Sequence, residues 1–185
     1  MSNILIIKHG SLGDLIQANG AIEDIKKSNI KSNVILLTSN QYIDFMNGCP
    51  YIDEVIVDKR LPRWNLIYLY KLKKKLSSYN FTQVFDLQNS SRTKFYSKYI
   101  VNLAKWSSTE TTLELGQLKS DFDKEPVLKR MEIQLKKSGI KTKNTKKSNL
   151  NWATSNIKNI TKDYISKKYI LIFPFCSSKL IEKKW

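Results

Sequence analysis

The stretch from Asn3 to Ile16, Asn-Ile-Leu-Ile-Ile-Lys-His-Gly-Ser-Leu-Gly-Asp-Leu-Ile, is an aliphatic run that breaks into a glycine-punctuated turn and opens a helix. The unbroken run from Ile4 to Ile7 is the pattern of a strand covered on both faces, as in parallel sheets. After Gly10 and Gly13, the apolar residues Leu15, Ala18, Ala21, Ile22 and Ile25 recur at helical spacing. The helix closes on Lys26 and Lys27, where the macrodipole favours cations. In open parallel sheets ligands occupy the crevice beyond the carboxyl ends of the strands, so a turn carrying Asp14 is the first place to look for chemistry.

Outward from this stretch the same alternation repeats. Val34 to Leu37, Glu54 to Val57 and Val84 to Leu87 are of strand length, and helical patterns cover 39–46, 65–79, 92–103 and 127–137. Strand and helix in alternation predict right-handed βαβ units, hence an α/β fold with a Rossmann-like parallel sheet. Residues 107–125 are polar and read as a loop or insertion, and Lys141 to Asn149 as an exposed linker. Tyr169 to Phe173 is a new buried strand ending in Pro174. The expected organisation is one domain over 1–150, followed by a linker and the first strand of an incomplete second domain over 151–185.

The chain of 185 residues carries 32 basic and 16 acidic residues, a formal charge of +16. Such a surplus predicts affinity for polyanions. Only Arg60, Arg63, Arg92 and Arg130 are arginine, and a surplus made of lysine reads mainly as solvated surface, since phosphate recognition favours the arginine fork. A basic nucleic-acid-binding or non-catalytic binding module is the alternative, but no nucleic-acid motif is present and no nucleic acid is expected as partner. Cys49 and Cys176 are isolated and His9 is the single histidine, so no metal site is expected. No leader is read, and the apolar runs fall well short of the roughly 20 residues of a membrane helix. The expectation is a cytoplasmic protein, peripheral at most on the inner face of a membrane.

Four clusters are candidates for function. In the first, Gly10 and Gly13 let backbone approach a ligand bound beside Ser11, and Asp14 accepts a proton; alternatively Ser11 or Asp14 caps the helix. His9 either contacts substrate or packs as a polar core residue. Asp86 to Arg92 ends a strand, offering Arg92 to an anion or a serine to the next helix as its cap. Arg60 and Arg63, beside Trp64, form a basic, aromatic lip, and the tail from Ser177 to Trp185 brings Lys179, Lys183 and Lys184 to a loop.

At these residues the chain resembles the N-terminal half of the heptosyltransferases, family nine of the glycosyltransferases. The matching pieces are the opening strand with Lys8, the turn Ser11-Leu12-Gly13-Asp14, the strand Phe85-Asp86-Leu87-Gln88 with Ser90-Ser91-Arg92, and the final Ile170 to Pro174 strand with Lys183-Lys184-Trp185. The resemblance implies a truncated GT-B enzyme, inverting and metal-independent, that moves heptose from ADP-heptose to the lipopolysaccharide inner core. It assigns Asp14 as general base and Lys183 to the donor phosphates. A nucleotide sugar is then the donor, no other cofactor is needed, and a phosphorylated glycolipid at an anionic membrane surface is the acceptor, met by Arg60, Arg63 and Arg92. The family's donor-binding half is not in this chain, so the isolated 185 residues are expected to transfer little or no sugar.

Overall fold

The computed structural model of the chain describes residues 2–153. Five strands, β1 (Asn3–Ile7), β2 (Asn33–Thr38), β3 (Glu54–Val57), β4 (Phe81–Asp86) and β5 (Lys105–Ser107), form a parallel sheet in the order β3-β2-β1-β4-β5. The connecting helices are α1 (Leu12–Ser28), α2 (Ile43–Asn47), α3 (Leu66–Ser77), α4 (Ser91–Tyr99), α5 (Thr109–Thr112), α6 (Lys119–Phe122) and α7 (Val127–Lys137). The expected Rossmann-like α/β arrangement is thus present. Strand order reverses between β1 and β4, which opens a crevice at their carboxyl ends.

Successive strand residues point to opposite faces, and each face must be covered. Ile4 and Ile6 of β1 pack with Leu15, Ala18 and Ile22 of α1 and with Met131 and Leu135 of α7. Leu5 and Ile7 pack with Leu69, Leu72 and Leu76 of α3 and with Tyr96 of α4. In the register Ile4 lies beside Val34 and Leu5 beside Ile35, so apolar side chains stack like on like across the sheet.

Three sequence expectations are corrected. Residues 107–125 are not one loop: β5 adds an edge strand at 105–107, and the one-turn helices α5 and α6 follow. Three residues running exposed, half-buried, buried are too few to show a period of two. α4 also ends at Tyr99, short of the expected 103.

The supposed linker from Lys141 to Asn149 is a strap packed on α1. Asp24, buried on α1, accepts from the Asn144 N–H (2.9 Å), the Asn144 amide (2.8 Å), and the Thr145 N–H and hydroxyl (both 2.7 Å). The backbone runs so close that a Cβ on Gly20 would lie 2.1 Å from the Asn144 carbonyl oxygen. Trp152 then packs on Phe45, ring centroids 5.1 Å apart, and donates to Asn19 Oδ1 (3.2 Å). Polar residues hide such a strap from hydropathy, because hydrogen bonds to a buried carboxylate hold it down. The expected second-domain strand at 169–173 and Lys183 lie outside the described residues.

Candidate functional site

β1 and β4 leave the sheet side by side, Ile7 in register with Asp86. The turns that follow are stitched together: Leu87 N–H donates to the Ile7 carbonyl (3.1 Å), Lys8 Nζ to the Leu87 carbonyl (3.1 Å), and His9 N–H to Gln88 Oε1 (3.0 Å). Burial pushes the Lys8 ammonium below its ordinary pKa; Asp14 and Asp86 pull it back up, and Arg130 opposes them.

A cavity of about 190 Å³ lies against these turns and α7, lined by Lys8, Asp14, Gln88, Asn89, Thr109 and Arg130 among others. Asp14 reaches it because Ser11 ends the turn as the N-cap of α1 and Asp14 stands at N3. Its Oδ2 accepts from the Ser11 N–H (2.9 Å) and hydroxyl (3.2 Å), so the capping alternative is realised, and it leaves Asp14 on the cavity wall. Gly10 has φ +80°, and a Cβ there would meet Tyr42 at 2.8 Å; any side chain in that turn would be strained. Gly13 differs, since a Cβ on it would meet nothing nearer than Ser11 Oγ at 4.0 Å.

Asn89, at φ +50°, joins three elements: its Oδ1 accepts from Thr109 N–H (2.6 Å) at the start of α5, and its amide donates to Gln134 Oε1 (3.0 Å) on α7. Gln134 in turn donates to the Asp86 and Ser107 carbonyls, both at 3.0 Å. Asp86 closes its own turn by accepting from the Gln88 (3.0 Å) and Asn89 (2.9 Å) N–H groups, and burial raises its carboxyl pKa. Ser90 caps α4, accepting from Thr93 N–H. The expected Asp86 to Arg92 cluster is therefore mostly turn and cap, with Gln88 and Asn89 facing the cavity.

A second centre lies where β3 ends. Asp58, 1 % exposed, accepts from the Arg60 N–H (2.7 Å), from Tyr96 Oη (2.8 Å) and from Tyr68 Oη, with His9 Nε2 2.8 Å from Oδ2. Burial alone would raise this carboxyl; the donors from His9, Tyr68 and Arg60 overcome it and hold the pKa down at about 2. His9 is thus a buried polar packing residue. Arg92 donates to Tyr96 Oη (3.1 Å) and to the Arg60 (3.2 Å) and Leu61 (3.0 Å) carbonyls, which fixes the 58–63 loop. Arg63 donates to Ser91 Oγ (2.9 Å) and lies over the Phe95 ring, while Arg60 is exposed at φ +52°. The three expected arginines do gather at one place. Among the described residues no group of three His, Cys, Asp or Glu side chains is placed to hold a metal ion.

No protein-family model matches the chain. Over 60 residues it is 37 % identical to a Haemophilus influenzae protein carried under the provisional name of glycosyltransferase, covering 32 % of this chain and 17 % of that one. Among solved structures, a glycosyltransferase family 9 protein of Veillonella parvula matches with a TM-score of 0.59 at 18 % identity, over 77 % of this chain and 43 % of that one. E. coli ADP-heptose LPS heptosyltransferase II matches at 0.58 and 14 %, over 89 % and 49 %. E. coli heptosyltransferase WaaC, solved with ADP-2-deoxy-2-fluoro heptose, matches at 0.56 and 14 %, over 81 % and 52 %. The fold is that of the heptosyltransferases. The chain spans about half the length of these solved structures.

On this heptosyltransferase fold, Ser11, Gly13 and Asp14 sit at the β1–β4 crevice and Arg60, Arg63 and Arg92 around the end of β3. Sequence reasoning missed Arg130, which donates to Asp123 (2.8 Å) and lines the cavity. A signal existed, because in a chain whose other 28 cations are lysine, all four arginines fall on the rim where strands end.

Proposed function

We propose that the chain forms the acceptor-side part of an inverting, metal-independent glycosyltransferase that moves heptose from ADP-heptose to the lipopolysaccharide inner core. The observation that supports this most directly is the cavity at the strand-order reversal, where one carboxylate, Asp14, faces Lys8 and Arg130. Both bonds made to Asp14 use Oδ2, so Oδ1 is the oxygen for the acceptor hydroxyl. Asp14 takes that proton as the oxygen attacks the anomeric carbon and the bond to the ADP diphosphate breaks. Ser11 and Gly13 present backbone beside the reacting hydroxyl. Arg60, Arg63 and Arg92 meet phosphates of a glycolipid acceptor held at a membrane surface, Arg92 mainly by holding the loop of the other two. Lys183, outside the described residues, is assigned to the departing diphosphate.

The test is transfer from ADP-heptose to a phosphorylated core glycolipid by the full product of the gene, with and without Asp14→Asn. A fall in turnover of about 10³-fold is expected from removing a general base. Unchanged turnover in the variant would remove Asp14 from that role, and no transfer by the unaltered protein would overturn the proposal.

A further inference from the structure

We propose that the loop before α3 and the first turn of that helix dock on an anionic lipid bilayer. Trp64, Leu66, Ile67 and Tyr70 are 84, 73, 71 and 67 % exposed. Large apolar side chains on a surface are ordinarily scattered singly, whereas these four fall within seven residues. Core packing does not need them, since α3 turns Leu69, Leu72 and Leu76 to the sheet. Ile67, Tyr70, Lys71 and Lys74 stand at i, i+3, i+4 and i+7, so they share one outward face.

Charge selects the partner. Residues 59–80 contain seven lysines and arginines and no Asp or Glu. An apolar turn containing Trp and Tyr and followed by lysines is the composition of an interfacial helix, with rings at headgroup depth and ammonium groups reaching the lipid phosphates. Beside it lies a groove of about 460 Å³, lined by Val57, Leu61 and Ile67 together with Lys59, Lys71 and Lys75. Apolar walls carrying three cations suit an anionic headgroup and the start of its chain. A single-stranded nucleic acid would use the same cations without any need for Ile67 or Leu66.

Position gives the docking a purpose. All strands of the sheet are parallel, so the loop leaving β3 lies on the same edge as the turn leaving β1, and the Arg63 bond to Ser91 ties it to the start of α4. The apolar turn therefore stands on the edge that carries Asp14, where a lipid-anchored acceptor arrives. For that purpose the inference rests on the function proposed above; lipid binding itself is measured without sugar transfer.

The experiment is co-sedimentation of the full chain with vesicles of mixed phosphatidylglycerol and phosphatidylcholine, with pure phosphatidylcholine vesicles and a single-stranded RNA as comparisons. Preferential binding to the anionic vesicles is expected. Trp64→Ser combined with Ile67→Ser should weaken it about tenfold or more. Lys71→Gln with Lys74→Gln should weaken it about 30-fold, about fivefold for each lysine. All four residues are exposed, so circular dichroism should show both variants folded. Equal binding to neutral vesicles, or anionic binding untouched by the Trp64 and Ile67 changes, would overturn the proposal, the latter with tight RNA binding reassigning the patch to nucleic acid. Loss of sugar transfer with vesicle binding intact would defeat the catalytic reading alone, and the reverse result this one alone.

Discussion

Asp14 and Asp58 follow neighbouring parts of the same sheet edge, yet they are used in opposite ways. Asp58 is buried, with donors from the Tyr68 and Tyr96 hydroxyls and the Arg60 N–H and with His9 Nε2 2.8 Å away. Asp14 is half-buried, served by Ser11 alone and through one oxygen, on the wall of a cavity. A carboxylate whose lone pairs are filled by fixed donors is held ionised and has nothing left for a ligand. One that keeps an oxygen free can take a proton. The contrast separates an aspartate whose bonds build the rim from one that keeps an oxygen open to a cavity, although both are simply an Asp after a strand.

The sharpest way to break the contrast is to remove each carboxylate and ask what is lost. Asp14→Asn should lower turnover about 10³-fold, about 4 kcal/mol of barrier. Thermal unfolding should move little, because Asn still accepts at N3 and the cap is worth about 1 kcal/mol. Asp24→Ala, on α1 beneath the strap, should do the reverse: four donors of the strap lose their acceptor, at a cost of about 3 kcal/mol measured by urea unfolding. Gly20→Ala should give a comparable loss through a different cause, the 2.1 Å approach of the strap.

Asp58→Asn should cost about 2 kcal/mol at neutral pH, and its signature is in acid. The folded carboxyl sits at about 2, against an ordinary value of about 4. The stabilisation is therefore complete above pH 4 and is lost as pH falls from about 4 to about 2, a difference of about 2 kcal/mol. Acid unfolding followed by circular dichroism should show that limb in the unaltered protein and a flatter one in the variant. Equal limbs would mean that the Asp58 carboxylate is not held by its donors.

How far the sequence foretold these roles follows from which forces act. Strands β1 to β4 and the long helices were legible because aliphatic runs and a 3.6-residue period report hydrophobic burial directly. That the turns of β1 and β4 lie side by side follows from the strand order, which no local pattern in the sequence reports. Asp58 was invisible: nothing near it in sequence announces His9, Tyr68 and Tyr96, which arrive from three other elements. The 141–149 strap was misread for the same reason, since Lys, Asn and Thr look solvated until Asp24 is seen beneath them. Hydropathy registers burial of apolar surface, while networks of long-range polar bonds carry no local period.

Gly13 supplies the smallest effect and the finest test. Gly10 is explained by the chain itself, through its positive φ and the nearby Tyr42 ring. Gly13 is not: it lies in the first turn of α1, outside the left-handed region, with open space where a Cβ would stand. Alanine there should raise stability by up to about 1 kcal/mol, because glycine is the poorer helix former. If the backbone at Gly13 lies against a reacting ligand, that methyl group should also lower turnover about tenfold while unfolding shifts upward. Opposed changes in one variant would mark the turn as shaped for its ligand at the expense of its own helix. A stabilised variant with unchanged turnover would place the ligand away from the Gly13 backbone.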